Sequence, residues 1–114
     1  MTVVAWGAIK GPVLDALPVL KAQGITANLL HVRLFSPFPR EGVQAILSQA
    51  KKVMSMEMNF TSQLARLIRM EIGFDIPHKV VKYTGRPISQ NEAVDAITEV
   101  FNKGTERIVL TYGH

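Results

Sequence analysis

Short apolar runs recur along the chain and predict the strands of a sheet. The runs from Thr2 to Trp6 and from Val53 to Met58 are almost uninterrupted, which is typical of central strands in a parallel sheet. Polar residues interrupt the runs from Thr26 to Phe35 and from His78 to Tyr83, which favours flanking positions. A last run, Arg107 to Tyr112, predicts a possible fifth strand in a tail of residues 105–114.

Helical patterns of apolar residues three or four positions apart separate these runs. They predict helices over about Pro12–Gly24, Arg40–Ala50, Ser62–Gly73 and Ser89–Gly104. Pro18 lies inside the first pattern and removes a backbone donor, so we expect a kink there or a helix that starts late. Ser89 is followed three residues later by Glu92, which is the pattern of a capping box.

Strands that alternate with helices predict a three-layer α/β/α fold with a mainly parallel sheet of four to five strands. A chain of 114 residues is long enough for one such domain, which we place at residues 1–104. If the two most apolar strands are central, the spatial order is 2-1-3-4. The loops that begin at Gly7 and Glu57 then face each other across one crevice, where ligands and partners usually meet such folds.

Composition excludes several classes of function. The formal net charge is +4 and the pI about 9.7, but the thirteen basic residues are scattered and only Lys51 and Lys52 are adjacent, which argues against a nucleic-acid groove. The sequence contains no cysteine, so it offers no disulfide, thiolate metal site or iron–sulfur ligand. It shows no membrane-length apolar run and no signal-peptide pattern, so we expect a soluble cytoplasmic protein.

Glu57 and Asn59 are the polar residues best placed for a function, between the third strand and the third helix. A buried Glu57 could act as a general base, but no second group completes a site, so hydrogen bonding to amides is the preferred interpretation. Asn59, Thr61 or Ser62 could cap the helix, and because Thr61 and Ser62 are available, we expect Glu57 and Asn59 to organise the crevice instead. The segment after Gly7 lacks the glycine spacing of a phosphate-binding loop and predicts a tight turn.

The remaining candidates have ordinary structural interpretations. The histidines His31, His78 and His114 are isolated, without the spacing of zinc ligands, and predict surface or edge roles. The three methionines of the third strand, which alternate along it, predict core filling. Arg66 and Arg69 could bind a phosphate or a partner carboxylate, or they could belong to a solvated helix face.

Four motifs occur in order along nearly the whole chain. They are Trp6-Gly7, Pro37-Phe38-Pro39, the pattern E-x-N-x-x-x-Q-L-A-x-L-I-R that begins at Glu57, and K-Y-x-G-R-P-I from Lys82 to Ile88. Together they resemble the carboxyl-terminal domain of the alpha subunit of 2-oxoacid:ferredoxin oxidoreductases. Ser62 departs from the pattern, because that family commonly has glycine before the glutamine.

The resemblance implies a fold like the transketolase carboxyl-terminal domain and one part of an enzyme that decarboxylates a 2-oxoacid on thiamine diphosphate. Such an enzyme passes electrons through iron–sulfur clusters to ferredoxin and releases an acyl-CoA. The resemblance places thiamine diphosphate, magnesium and the clusters in a preceding domain and a beta subunit, so this domain is expected to bind no cofactor or metal and to lack catalytic residues. The matched interface or loop-ordering residues are Gly7, Glu57, Asn59, Gln63, Arg69, Gly85 and Arg86.

Other interpretations are left open at this point. A domain with an uncovered apolar patch is expected to self-associate, most simply as a two-fold dimer. The chain could also be a free-standing small-molecule-binding module that uses the loops at Gly7 and Glu57. It could be the equivalent domain of a transketolase or of a 2-oxoacid dehydrogenase beta subunit, although the turn from Gly85 to Ile88 favours the ferredoxin-linked group.

Overall fold

The computed structural model describes residues 1–32, 38–59 and 61–111. Several expected features therefore lie outside the described residues. They are the end of the second strand at residues 33–35, the turn at Ser36 and Pro37, and the tail residues Tyr112 and His114.

Five strands and four α-helices alternate in the described part of the chain. The strands are β1 (Thr2–Ala5), β2 (Asn28–His31), β3 (Val53–Glu57), β4 (His78–Val81) and β5 (Arg107–Val109). The helices are α1 (Lys10–Ala22), α2 (Arg40–Gln49), α3 (Gln63–Ile72) and α4 (Gln90–Lys103), with a 3-10 turn at Gly7–Ile9 before α1. Among these described helices, none has the length and apolar character needed to cross a membrane.

The strands form one parallel sheet in the order β2-β1-β3-β4-β5. This confirms the predicted order of the first four strands and adds β5 at the edge beyond β4. Every residue of β1 and β3 is buried, because each of these strands has a neighbour on both sides and helices on both faces. The partly polar β2 lies at the other edge of the sheet, as its sequence predicts.

The core has two layers, one on each face of the sheet. On one face Val3, Ala5, Met54 and Met56 pack with buried residues of α1 and α4. On the other face Val4 and Val53 pack with residues of α2 and α3, namely Val43, Leu47, Leu64 and Ile68. Since successive strand side chains point to opposite faces, Met54 and Met56 fill the first layer while Ser55 and Glu57 face the second.

The first helix differs from the prediction. It begins at Lys10 and continues through Pro18 to Ala22, so the expectation of a late start is wrong. Pro18 is exposed, while Val13, Ala16 and Leu20 are buried on the opposite side of the helix. Burial of that apolar face outweighs the hydrogen bond that the proline removes.

Replacing Pro18 by alanine should stabilise the chain by about 2 kcal/mol, because the backbone N–H to the Leu14 carbonyl is restored in a helix interior. Pro12→Ala is the matched control, since Pro12 lies in the first turn and its missing donor has no intrahelical partner. Urea unfolding at an unchanged m-value measures both. Equal stabilisation by the two substitutions would contradict this account.

Candidate functional site

The loops after β1 and β3 line one cleft at the carboxyl edge of the sheet. The cleft has a volume of about 270 Å³. Its lining residues are Trp6, Gly7, Ala8, Ile9, Met58, Asn59 and Gln63. We call it the switch-point cleft, because it lies between the two central strands, where the strand order reverses.

Glu57, the last residue of β3, is the fully buried group behind this cleft. Its Oε1 atom accepts hydrogen bonds from Trp6 Nε1 at 3.1 Å, Asn59 Nδ2 at 3.0 Å and the Leu64 backbone N–H at 2.6 Å. Its Oε2 atom accepts one from the Ala65 backbone N–H at 3.1 Å. One carboxylate therefore connects the end of β1, the end of β3 and the start of α3.

The amides that begin α3 are all used within the chain. Asn59 Oδ1 accepts from the Gln63 N–H at 3.1 Å, and Glu57 accepts from the next two amides. The fourth amide, of Arg66, already bonds to the Ser62 carbonyl in helical fashion at 3.0 Å. Side chains that precede the helix thus occupy the positions in which an external anion would accept hydrogen bonds.

The expected hydrogen bonding of Glu57 to amides is confirmed, and Asn59 is the cap among the three candidates, so the expectation that Thr61 or Ser62 would cap the helix in its place is wrong. Ser62 is the N-cap residue by position, but its side chain makes no capping bond. Its φ of +54° is left-handed, and its buried hydroxyl has no partner among the described residues. Thr61 is exposed. Glu57 and Asn59 therefore cap α3 and line or support the cleft at the same time.

Four of the predicted site residues come together here. Gly7 adopts a left-handed φ of +70° at the turn out of β1, and its carbonyl lies 3.1 Å from Nε2 of His31 at the end of β2. Gln63 is exposed at the edge of the cleft. The four residues lie together where β1, β3 and α3 meet. They are Gly7, Glu57, Asn59 and Gln63.

The other three predicted residues lie elsewhere. Arg69 is exposed six residues beyond Gln63 on α3, about 9 Å further along the helix axis. Gly85 and Arg86 belong to the loop after β4, on the same edge of the sheet, and do not line the switch-point cleft. The sequence motifs could not distinguish the residues at the cleft from these three, because residues of one motif can lie on different parts of the folded surface.

The histidines have edge roles where the structure describes them. His31 contacts the Gly7 carbonyl, and His78 Nδ1 lies 2.9 Å from the Thr105 carbonyl, next to β5. His114 lies outside the described residues. Within the described ranges, no group of three His, Cys, Asp or Glu side chains could hold a metal ion.

A buried ion pair, which the sequence analysis missed, lies at the next loop of the sheet edge. The Lys82 side chain is fully buried directly after β4, and its Nζ donates to Glu92 Oε1 at 2.7 Å and to the Pro87 carbonyl at 3.0 Å. Glu92 also completes the predicted capping box with Ser89. The pair therefore ties the end of β4 to the start of α4 across the loop that contains Gly85. The available signal was a lysine next to an apolar strand run, with a capping-box glutamate ten residues later.

The charge of Lys82 affects the acidity of Glu92. Burial alone would raise the pKa of the Glu92 carboxyl. The hydrogen bond from Lys82, the Ser89 backbone amide and the Lys82 charge outweigh burial, so the pKa lies below its ordinary value of 4.5. The ionised form of Glu92 is consequently the one that the folded chain favours.

Comparison with known sequences gives a consistent result. Residues 1–96 match the profile described as pyruvate:ferredoxin oxidoreductase core domain II. The chain is 36% identical over 112 residues to the alpha subunit of 2-oxoacid:ferredoxin oxidoreductase 1 from Aeropyrum pernix, a match that covers 96% of this chain and 18% of that protein. The chain thus spans less than a fifth of the length of this curated relative.

Solved structures show the same relationship. The alpha chain of a probable 2-oxoacid ferredoxin oxidoreductase from Thermoplasma acidophilum is 45% identical, with a TM-score of 0.61 over 90% of this chain and 88% of that chain. A 2-oxoglutarate:ferredoxin oxidoreductase from Magnetococcus marinus, with 2-oxoglutarate, coenzyme A and succinyl-CoA bound, is 29% identical, with a TM-score of 0.72 over 86% of this chain and 17% of that chain. A split-gene transketolase at 21% identity and a TM-score of 0.64, over 86% of this chain and 37% of that chain, shows a shared fold. The expected transketolase-like fold is confirmed.

We expect Glu57→Gln to destabilise the chain by about 3 kcal/mol, because either orientation of the carboxamide turns an NH₂ group toward N–H donors that now bond to oxygen. Asn59→Ala removes the neighbouring cap and should cost only about 1 kcal/mol. Urea unfolding followed by the fluorescence of Trp6 measures both. A smaller loss for Glu57→Gln than for Asn59→Ala would refute the central role of this carboxylate.

The lowered pKa of Glu92 predicts a specific dependence of stability on pH. Because the unfolded carboxyl binds a proton more readily than the folded one, the stabilisation is present above about pH 4.5 and is lost as the pH falls through the folded-state pKa. The stability difference between wild type and Glu92→Gln should therefore shrink on going from about pH 7 to about pH 3. Asp95→Asn, at an exposed position on the same helix, should keep the wild-type pH profile. A pH-independent difference for Glu92→Gln would contradict the assignment.

Proposed function

The chain belongs to the pyruvate:ferredoxin oxidoreductase core domain II family, and we propose that it acts as the carboxyl-terminal α/β domain of the alpha subunit in a 2-oxoacid:ferredoxin oxidoreductase. The complete enzyme would convert a 2-oxoacid, coenzyme A and oxidised ferredoxin to an acyl-CoA, carbon dioxide and reduced ferredoxin. Within it, this domain contributes subunit contacts and shapes the approach to the active site.

The observation that carries this proposal is the use of Glu57. Among the described residues, four N–H groups donate to this carboxylate, which supports a role in organising the cleft and not a role as a base or a ligand. A buried carboxylate with this many hydrogen bonds makes the surrounding edge of the sheet rigid, as a structural domain requires. Catalytic chemistry then belongs to other parts of the enzyme.

We propose that thiamine diphosphate, magnesium and the iron–sulfur clusters are bound outside this domain. The sequence has no cysteine for a cluster, and the carboxylate nearest the cleft is already bonded by amides. The resemblance to the family assigns these cofactors to a preceding domain and a beta subunit. The alternative of a transketolase or dehydrogenase domain is less favoured, because the transketolase match is in fold alone.

The test uses two exposed methionines, one in the loop before α3 and one near the end of that helix. Met58 lines the cleft and is 40% exposed, whereas Met70 is 82% exposed in the last turns of the helix. If the cleft edge contacts other parts of the enzyme, Met58→Glu buries an unpaired charge on assembly. It should lower assembly or 2-oxoacid-dependent ferredoxin reduction by about tenfold or more.

Met70→Glu should leave assembly and turnover near their wild-type values. Both variants should melt close to wild type as free chains, since exposed substitutions change stability by about 0.5 kcal/mol or less. Full assembly and turnover with Met58→Glu would overturn the proposed role of this edge.

A further inference from the structure

We propose that the switch-point cleft receives an uncharged apolar side chain from a neighbouring polypeptide segment of the larger enzyme, and that its α3 side is closed to phosphate-bearing ligands. The inference rests on the proposed function and gives the cleft a specific occupant. It concerns the recognition chemistry of the cleft, which the family relationship does not specify.

The closure to phosphate follows from the hydrogen bonds of α3. In open α/β folds, a phosphate binds at the carboxyl edge of the sheet by accepting hydrogen bonds from free amides at a helix start. Here the amides of Gln63, Leu64 and Ala65 already donate to Asn59 and Glu57. An incoming phosphate would find these donors occupied and would also approach a buried negative carboxylate, which repels it.

The walls of the cleft indicate the chemistry that it accepts instead. Ala8, Ile9 and Met58 contribute apolar surface, and the Trp6 ring is fixed because its Nε1 donates to Glu57. The volume of about 270 Å³ lies below the range of about 300–1,000 Å³ that is typical of sites for drug-sized ligands. An apolar cavity of about 150 Å³ can hold a benzene molecule, so one aromatic or branched aliphatic side chain fits here.

A polypeptide is the occupant that matches these features. The chain covers only 18% of its Aeropyrum pernix relative, so most of the length of such an enzyme is available as neighbouring segments. Met58 is partly exposed in the cleft wall, and a flexible thioether adapts well to an inserted side chain. The exposed Gln63 side chain at the edge provides a polar group that suits a peptide backbone.

The free chain allows a direct test of this chemistry, because its two core layers are complete and Trp6 is the only tryptophan in the sequence. Trp6 fluorescence is followed during titration with N-acetylphenylalaninamide, inorganic pyrophosphate and coenzyme A. We expect a saturable change with the phenylalanine amide at millimolar concentration and none with the two phosphate compounds.

Two matched variants locate the response. Ala8→Phe fills the cleft from an exposed position and should abolish the change, whereas Leu14→Phe, on the exposed side of α1, should leave it intact. A saturable response to pyrophosphate or coenzyme A that Ala8→Phe removes would overturn the inference. Absence of a saturable response to the phenylalanine amide would overturn it as well.

The source of the occupant is tested by thiol protection. Since the chain has no cysteine, Met58→Cys and Met70→Cys each introduce one thiol, and mass spectrometry of this chain reports its alkylation. In the assembled enzyme, Met58→Cys should react at least about tenfold more slowly than in the free chain, while Met70→Cys should react at an unchanged rate.

The outcomes separate this inference from the proposed function. Assembly without protection of Met58→Cys overturns the inference and leaves the proposed function standing. Failure of the chain to assemble with other subunits overturns the proposed function and, with it, this source of the occupant. Protection that rises with the concentration of the free chain alone would identify a second copy as the occupant and would also overturn the inference.

Discussion

Burial of the Glu57 carboxylate is the constraint on which the geometry of the functional edge depends. An ionised carboxyl group loses its hydration in the core, and no cation compensates it among the described residues. Four N–H donors from the ends of β1 and β3 and the start of α3 replace the water. The lost hydration is compensated only when each donor lies in its observed place, so these three elements are fixed relative to one another.

This constraint also accounts for the unusual backbone at Ser62. The chain must turn from β3 into α3 so that two helix amides point back at Glu57, and the turn requires a left-handed residue directly before the helix. Such a conformation costs a residue with a side chain about 1–2 kcal/mol. Glycine at this position would avoid that cost. In this protein the Glu57 and Asn59 hydrogen bonds hold the strained conformation.

The sheet order could be predicted because it depends on a property that each strand shows by itself. Uninterrupted apolar runs need neighbours on both sides, and this places β1 and β3 at the centre. Hydrogen bonding of Glu57 to amides could be predicted from the sequence, but the particular amides that it reaches could not. Local statistics favour Ser62 as the cap, but Glu57 reaches amides seven and eight residues ahead once the strand and helix are packed. The pairing of Lys82 with Glu92 was not predicted for the same reason. These residues are ten positions apart in the sequence, and they come into contact only when β4 and α4 are packed in the fold.

Glu57 and Glu92 show two solutions to the same physical problem at neighbouring loops. Glu92 is compensated by a cation, and removal of its charge would leave the buried Lys82 without an opposite charge. Glu57 is compensated by dipoles of the backbone and of two side chains, so it uses the start of α3 as an internal site for its own negative charge. Many such folds present that helix end to phosphate, whereas here the first amides of α3 bond to Glu57 and Asn59.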